Sequence, residues 1–438
     1  MRSALQSPRL RRILAAYTIN RLGTWFGYVA LSVAVFDHTH SALAVAVLLV
    51  AAQVLPAIIG PALVAKVESS SRGGLLSGLY LVETLATVAL AVMLSHFWLP
   101  ALLILVLIDG TAALAASSLL RAQAAKAGRE HFAQTAPAPQ SPEQTEEAER
   151  KANAALNIAF SGTFVLGPAI AGAIVASAGA PAALYIDAAT FVICGGMLLD
   201  LRPHVEALEG ESVGARLRVA WEHIRSVPAL RALLIAEAAA LVFFQFSAPI
   251  EVVYAKVTLH AGARGYGVLL GTWGVGVVVG SLVFARTVNR SLKLLLSAGT
   301  LAVGLAYVGF AAAPTLIVAC VAALLGGLGN GVQWASLISA VQSLTPPSLH
   351  GRLMGAVESL SWSCPALGLL LGGGLVAVSS PRVAFLVAGL GAVATTVAFL
   401  RLSLQQTGPS AGETPIVVVD RAARTLRDAT PGEPSSLG

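Results

Sequence analysis

Long apolar runs alternate with short polar connections along this chain, and the runs are longer than the strands of a soluble sheet. A helix needs roughly 20 apolar residues to cross the hydrocarbon core of a bilayer. Runs of that length lie near 14–36, 42–65, 74–97, 99–121, 154–178 and 181–200, and again near 230–253, 265–286, 292–312, 315–343, 353–378 and 381–401. A hydrophilic, arginine-rich stretch at 201–228 separates the two sets of six. The alternating ten-residue segments of an outer-membrane barrel are missing, so the pattern predicts an all-α membrane protein of twelve transmembrane helices. Residues 1–200 should form an N-terminal six-helix bundle, 201–229 a cytoplasmic central linker, and 230–401 a C-terminal six-helix bundle.

Composition agrees with lipid as the solvent: of 438 residues 56% are hydrophobic and 11% charged, with a mean hydropathy of +0.78. Such values exclude an ordinary soluble domain. Lysine and arginine in the connections set the orientation, because short basic loops stay cytoplasmic. Nearly all of them, from Arg2 and Arg9 to Arg427, fall on one side, and only Lys256, Arg264 and Arg382 fall on the other. Both termini are therefore expected in the cytoplasm and the chain in the plasma membrane as a multi-pass protein. The net charge of +6 reads as this topological signal, not as a nucleic-acid surface.

No cleavable signal peptide is expected, since the basic start runs straight into a full-length apolar run. Cys194, Cys320 and Cys364 lie inside runs without metal-ligand spacing and read as small buried residues. His38 and His40, beside Asp37, read as a polar outer loop. Nothing suggests a metal or a cofactor.

Shifting the chain by 220 positions lays Leu10-Arg11 on Leu230-Arg231, Gly60 and Lys66 on Gly280 and Arg286, and Leu75-Leu76-Ser77 on Leu295-Leu296-Ser297. The halves are thus pseudo-symmetric repeats. Asp109-Gly110 meets Asn330-Gly331 one position out of that register. Pro168-Ala169 meets Pro365-Ala366 at a smaller offset, so the first half carries an insertion between its fourth and fifth spans. The insertion is 131–150, rich in Pro, Gln, Glu and Ala, and is expected to be a disordered cytoplasmic loop. The tail 402–438 reads the same way.

With this layout the chain resembles the major facilitator superfamily over nearly its whole length, and within it the enterobactin-exporter-like branch of drug and siderophore efflux proteins. The residues that carry the resemblance are Ser41-Ala42-Leu43, the stretch ending in Gly167-Pro168-Ala169-Ile170-Ala171-Gly172, Ile186-Asp187-Ala188, and Gly351-Arg352. The superfamily's loop motif between spans two and three is altered: Gly60 and Arg72 remain, while Lys66 and Glu68 surround the place of its usual Asp. The resemblance implies that spans one, four, seven and ten line a central path.

Charges inside spans are informative because each costs about 2.5–3.5 kcal/mol at a helix centre. Tyr17, Arg21, Thr24 and Tyr28 form one stripe on span one, and Arg21 should face the path. Asp109, near the middle of span four, is expected within its reach. Two readings fit that pair: a site that loads and releases a proton as it opens, or a permanent structural pair. Glu83 in span three is an alternative partner for Arg21, although its span is usually peripheral, and Asp187 reads as structural. Asn330, Gln333 and Trp334 share a face of span ten by spacing, either lining the path or hydrogen-bonding between helices. Glu237 in span seven is a second protonatable candidate. Gly276 with Gly280, Gly368 with Gly372, and Gly162 with Gly167 and Gly172 would let helices approach closely, and Gly167-Pro168 would also bend span five.

The function that follows is secondary active transport: proton-coupled efflux of a small amphipathic molecule by alternating access, in a monomer with protons as the coupling ion. An importer or lysolipid flippase of the same fold, and a transport-deficient sensor or assembly partner, are the alternatives. No catalytic constellation or phosphate-binding loop appears, so an enzyme is not expected.

Overall fold

A computed structural model of the chain describes residues 7–60, 74–135, 142–200, 213–287, 290–346 and 364–402, with single positions between 349 and 361. Among the described residues there are helices and no strands. The first half holds α1 (Pro8–Thr39), α2 (Ala42–Gly60), α3 (Leu75–Met93), α4 (Leu99–Thr135) and α5 (Pro142–Met197). After α6 (Val213–Ser226) come α7 (Pro228–Thr258), α8 (Gly262–Arg286), α9 (Leu292–Ala312), α10 (Leu316–Ser343), α11 (Pro365–Val378) and α12 (Pro381–Leu400).

Nine helices among the described residues are long and apolar enough to cross a membrane, and one of them must cross twice. The apolar part of α5, Ala154–Met197, has 44 residues. At about 1.5 Å per residue it is roughly twice the thickness of the hydrocarbon core. Gly179 divides it: φ 85° and ψ 165° there suit glycine alone, so the chain reverses between spans five and six. With that second crossing counted, α1, which carries the polar stripe, and α11, described over 14 residues, bring the number to twelve.

Capping side chains open the helices where loops meet lipid. Ser7 Oγ accepts from Leu10 N–H at 3.3 Å, with Pro8 in the first turn, and Ser41 Oγ accepts from Ala44 N–H at 3.2 Å. Ser380 does the same for Val383 N–H ahead of Pro381. His40 takes the left-handed conformation that closes α1, its N–H returning to Phe36 O at 2.7 Å. His38 stacks on Phe97, so both histidines of that turn have structural roles.

The stretch 131–150, expected to be disordered, is helical over 131–135 and 142–150. Its Ala, Gln and Glu content favours a helix, and Pro142 sits in the first turn, where a missing N–H costs nothing. Residues 136–141, the loop carrying Lys66, Glu68 and Arg72, Arg352, and the tail from 403 lie outside the described residues. The linker likewise contains an amphipathic helix, α6, whose His223 meets the Leu344 carbonyl after α10.

The two ends of the molecule are built differently. At the end bearing Pro8, Met197 and α6, here the linker end, an apolar cluster that includes Leu10, Ile13, Tyr17, Leu120 and Leu198 belongs wholly to the first half. At the opposite, distal end one larger cluster joins both halves, from Val35, Leu48 and Val175 to Ile250, Tyr254, Tyr307 and Phe385. Two backbone approaches hold it. A methyl group on Gly172 of α5 would lie 2.6 Å from the Ala263 carbonyl oxygen and 3.0 Å from Gly267 Cα of α8. One on Gly373 of α11 would lie 2.9 Å from the Ala42 carbonyl oxygen of α2. Asp37 of α1 and Lys256 of α7 add an ion pair across the same end. Among the described residues the apolar contact between the halves is therefore concentrated at the distal end. Ion pairs at the linker end, Arg9 with Glu130 and Arg12 with Asp200, stay within the first half. Hydrogen bonding from Arg12 holds the Asp200 carboxyl below the usual carboxylate range. The benefit of that pair is present above ordinary carboxylate values and is lost as pH falls through the lowered one.

The glycine pairs divide on inspection. Gly276 and Gly280 lie against the α10 backbone, and Gly368 and Gly372 against α7. Gly60 faces Leu114 of α4, and Gly162 faces open space. The chain stays helical through Pro168, and the non-helical break in this run lies at Gly179. A proline removes one hydrogen bond without forcing non-helical dihedrals.

Gly172→Val should therefore lower the unfolding midpoint of the purified protein in detergent, by an overpacking cost of about 1–3 kcal/mol against backbone that cannot retreat. Gly162→Ala should leave the midpoint within about 0.5 kcal/mol of wild type. Equal midpoints for both variants would contradict a tight contact between α5 and α8.

Candidate functional site

In the first half the site is built on the stripe of α1. Arg21 donates from Nη2 to Ser117 Oγ of α4 at 3.1 Å. Its guanidinium lies 5.3 Å from the centre of the Tyr17 ring and 5.9 Å from that of Phe160 on α5. Thr24 is exposed and returns its hydroxyl to Asn20 O, while Tyr28 stands edge-on to Trp25. Trp25 touches Phe164, which stacks on Phe160, so one aromatic wall runs from α1 to α5. Gly167 lies against the Trp25 ring and fixes where the wall stands.

The expected Arg21–Asp109 ion pair is not formed. Asp109 instead accepts from Thr87 Oγ1 of α3 at 3.3 Å. The reason is register: Arg21 meets α4 at Ser117, eight residues beyond Asp109, which is about 12 Å along the axis. Glu83, the alternative partner, is also unpaired. It is 0% exposed, neither of its oxygens has a hydrogen-bond partner, and it lies within electrostatic reach of Asp109, Asp187 and Arg21. Asp187 is pressed against Gly23 and Gly27 of α1, where a methyl on Gly27 would lie 2.6 Å from Oδ2. Glu83 of span three and Asp187 thus each lie within electrostatic reach of Asp109.

The second half uses a different solution. Gln333 Nε2 of α10 donates to Glu237 Oε2 of α7 at 3.1 Å, and both side chains are buried. Two of the residues singled out in the sequence therefore form one bridge. Asn330 is half-buried, whereas Trp334 is 44% exposed. At spacings i, i+3 and i+4 the three lie within about 100° of arc, a sector that runs from the buried Gln333 to the exposed Trp334.

Glu251 of α7 went unnoticed in the sequence. It accepts from Ser247 Oγ at 3.1 Å, and Tyr307 donates to the same hydroxyl at 3.1 Å. Tyr28 and Tyr266 lie within its electrostatic reach, and it borders a small recess formed with Tyr254, Leu269, Leu270, Trp273, Phe310 and Phe385. The available signal was an acid one helical turn after Ser247 inside an otherwise apolar run. Among the described residues no three His, Cys, Asp or Glu side chains group as a metal site.

The geometry matches known proteins in fold and family. Residues 3–415 match the family described as transmembrane secretion effector. The multidrug efflux pump Tap of Mycobacterium tuberculosis and that of Mycobacterium bovis are 28% identical to the chain over 261 residues, 57% of this chain and 60% of theirs. The match therefore spans less than two thirds of those relatives' length. Among solved structures, the nucleoside transporter NupG superposes with a TM-score of 0.71 at 13% identity, covering 90% of this chain and 99% of that one. A bacterial homologue of the human lysosomal transporter Spinster, inward-facing and unoccupied, gives 0.64 at 14% identity, covering 90% and 95%. At such identities the likeness is one of fold, and it is to transporters of the major facilitator type. The chain belongs to the transmembrane secretion effector family and has the major facilitator fold that its doubled sequence implied.

Proposed function

We propose that the protein exports a small amphipathic molecule across the plasma membrane by alternating access, driven by inward proton movement. The observation that carries this reading is the carboxyl cluster of Glu83, Asp109 and Asp187 in the membrane layer, with no cation at ion-pair distance from it among the described residues. Ionisable side chains inside a membrane mark ion and proton pathways, because nothing else repays their cost. Asp109 is the coupling residue, held by a single hydroxyl and half-buried on span four.

The basic bias of the connections supports a cytoplasmic linker end, and with the described contacts between the halves gathered distally, loading is assigned to the linker side. Asp37–Lys256 and the distal apolar cluster then close the outer side. Export is favoured by the family's description and by the relatives named as multidrug efflux pumps. One chain holds both halves of the path, so a monomer suffices.

Cells carrying the protein should accumulate less of at least one compound from a panel of dyes, antibiotics and siderophores, and a protonophore should restore entry. Asp109→Asn should lower the protonophore-sensitive part about tenfold or more, as expected for loss of a proton-transfer group. Export by that variant at the wild-type rate would remove Asp109 from coupling. Glu237→Gln should keep both its fold and its export, because an amide can still meet Gln333. Glu237→Ala should lose about 1–3 kcal/mol of stability by leaving the Gln333 amide buried and unpaired, read as a lower unfolding midpoint.

A further inference from the structure

The least explained group in the molecule is the Arg21 guanidinium. It presents five N–H donors, yet among the described residues its one hydrogen-bond partner is Ser117 Oγ, and its buried Nε has none. No carboxylate reaches ion-pair distance, although Glu83 lies within electrostatic range and Asp109 beyond it along α4. Tyr17 and Phe160 lie over the guanidinium without using its donors. The arrangement holds the charge by cation–π attraction and leaves the hydrogen-bonding edge unspent.

The surroundings are suited to a ligand. Phe160 is 40% exposed, Thr24 is exposed, and Asn20 and Arg21 are half-buried, all on the linker-end side of the distal closure. The aromatic wall of Phe160, Phe164 and Trp25 begins at the guanidinium and continues towards Tyr28. An unpaired cation in the membrane layer would be selected against unless something compensates it. The fork geometry of a guanidinium fits a carboxylate in bidentate fashion, and a flat apolar body fits the adjoining rings.

From these contacts we infer that Arg21 is a substrate-recognition residue for an organic anion: a carboxylate seated on the guanidinium, with a planar aromatic body along Phe160, Phe164 and Trp25. This rests on the transport reading above and narrows its substrate class to aromatic carboxylates. The carboxyl cluster remains the coupling element, and Arg21 is the binding element beside it.

Isothermal titration of the protein in phosphatidylcholine nanodiscs, against empty nanodiscs, would test the inference with 2-naphthoate and its uncharged analogue 2-naphthalenemethanol. Wild type should bind the carboxylate at least about tenfold more tightly than the alcohol. Arg21→Gln should bind both alike, and Arg21→Lys, which keeps the charge without the fork, should fall between. Phe160→Ala should weaken both ligands together. Equal binding of the two ligands by wild type, or undiminished preference in Arg21→Gln, would overturn the assignment. The wild-type comparison decides even where a variant fails to fold. Asp109-dependent export of uncharged compounds, without naphthoate preference, would sink the anion site and leave export standing. A naphthoate preference without export of any compound would do the opposite.

Discussion

Two helices from opposite halves touch backbone to backbone at Gly172 and Gly267, and the rest of the architecture is arranged around that contact. In lipid, helices gain little from hiding apolar side chains from one another, so close van der Waals approach must hold them. The α5–α8 contact, with its counterpart at Gly373 on α2, supplies it at the distal end. Both approaches lie where the large apolar cluster is continuous across the halves, whereas the cluster at the linker end belongs to the first half.

Low dielectric imposes a second condition, which the two halves meet differently. The second half neutralises Glu237 with a buried amide, and surrounds Glu251 with hydroxyls and aromatic rings. The first half keeps charge and counter-charge apart: Arg21 rests between two rings, while Asp109, Glu83 and Asp187 gather elsewhere behind α1. In the mechanism we propose, separation leaves each group available to something that arrives and leaves, an ion-pairing ligand for the cation and a proton for the carboxyls. A closed Arg21–Asp109 bridge would have satisfied both and left neither available.

The sequence by itself determined the class, the helix count, the doubled layout and the family. Apolar runs must match bilayer thickness, so α1, α4, α8 and α12 lie close to where hydropathy placed them. It also picked out the charged positions inside spans, because a charge there is costly whichever neighbour it meets. Which neighbour that is was decided only by the tertiary structure. Sequence spacing measures depth along one helix, whereas pairing depends on the register between two. An offset of about 12 Å sent Asp109 to Thr87 and Arg21 to Ser117. Rotation about the helix axis likewise joined Gln333 to Glu237 while turning Trp334 outward. The site at Glu251 belongs to the same class, since it depends on what packs against a helix, whereas the reversal at Gly179 falls in the gap between the apolar runs 154–178 and 181–200.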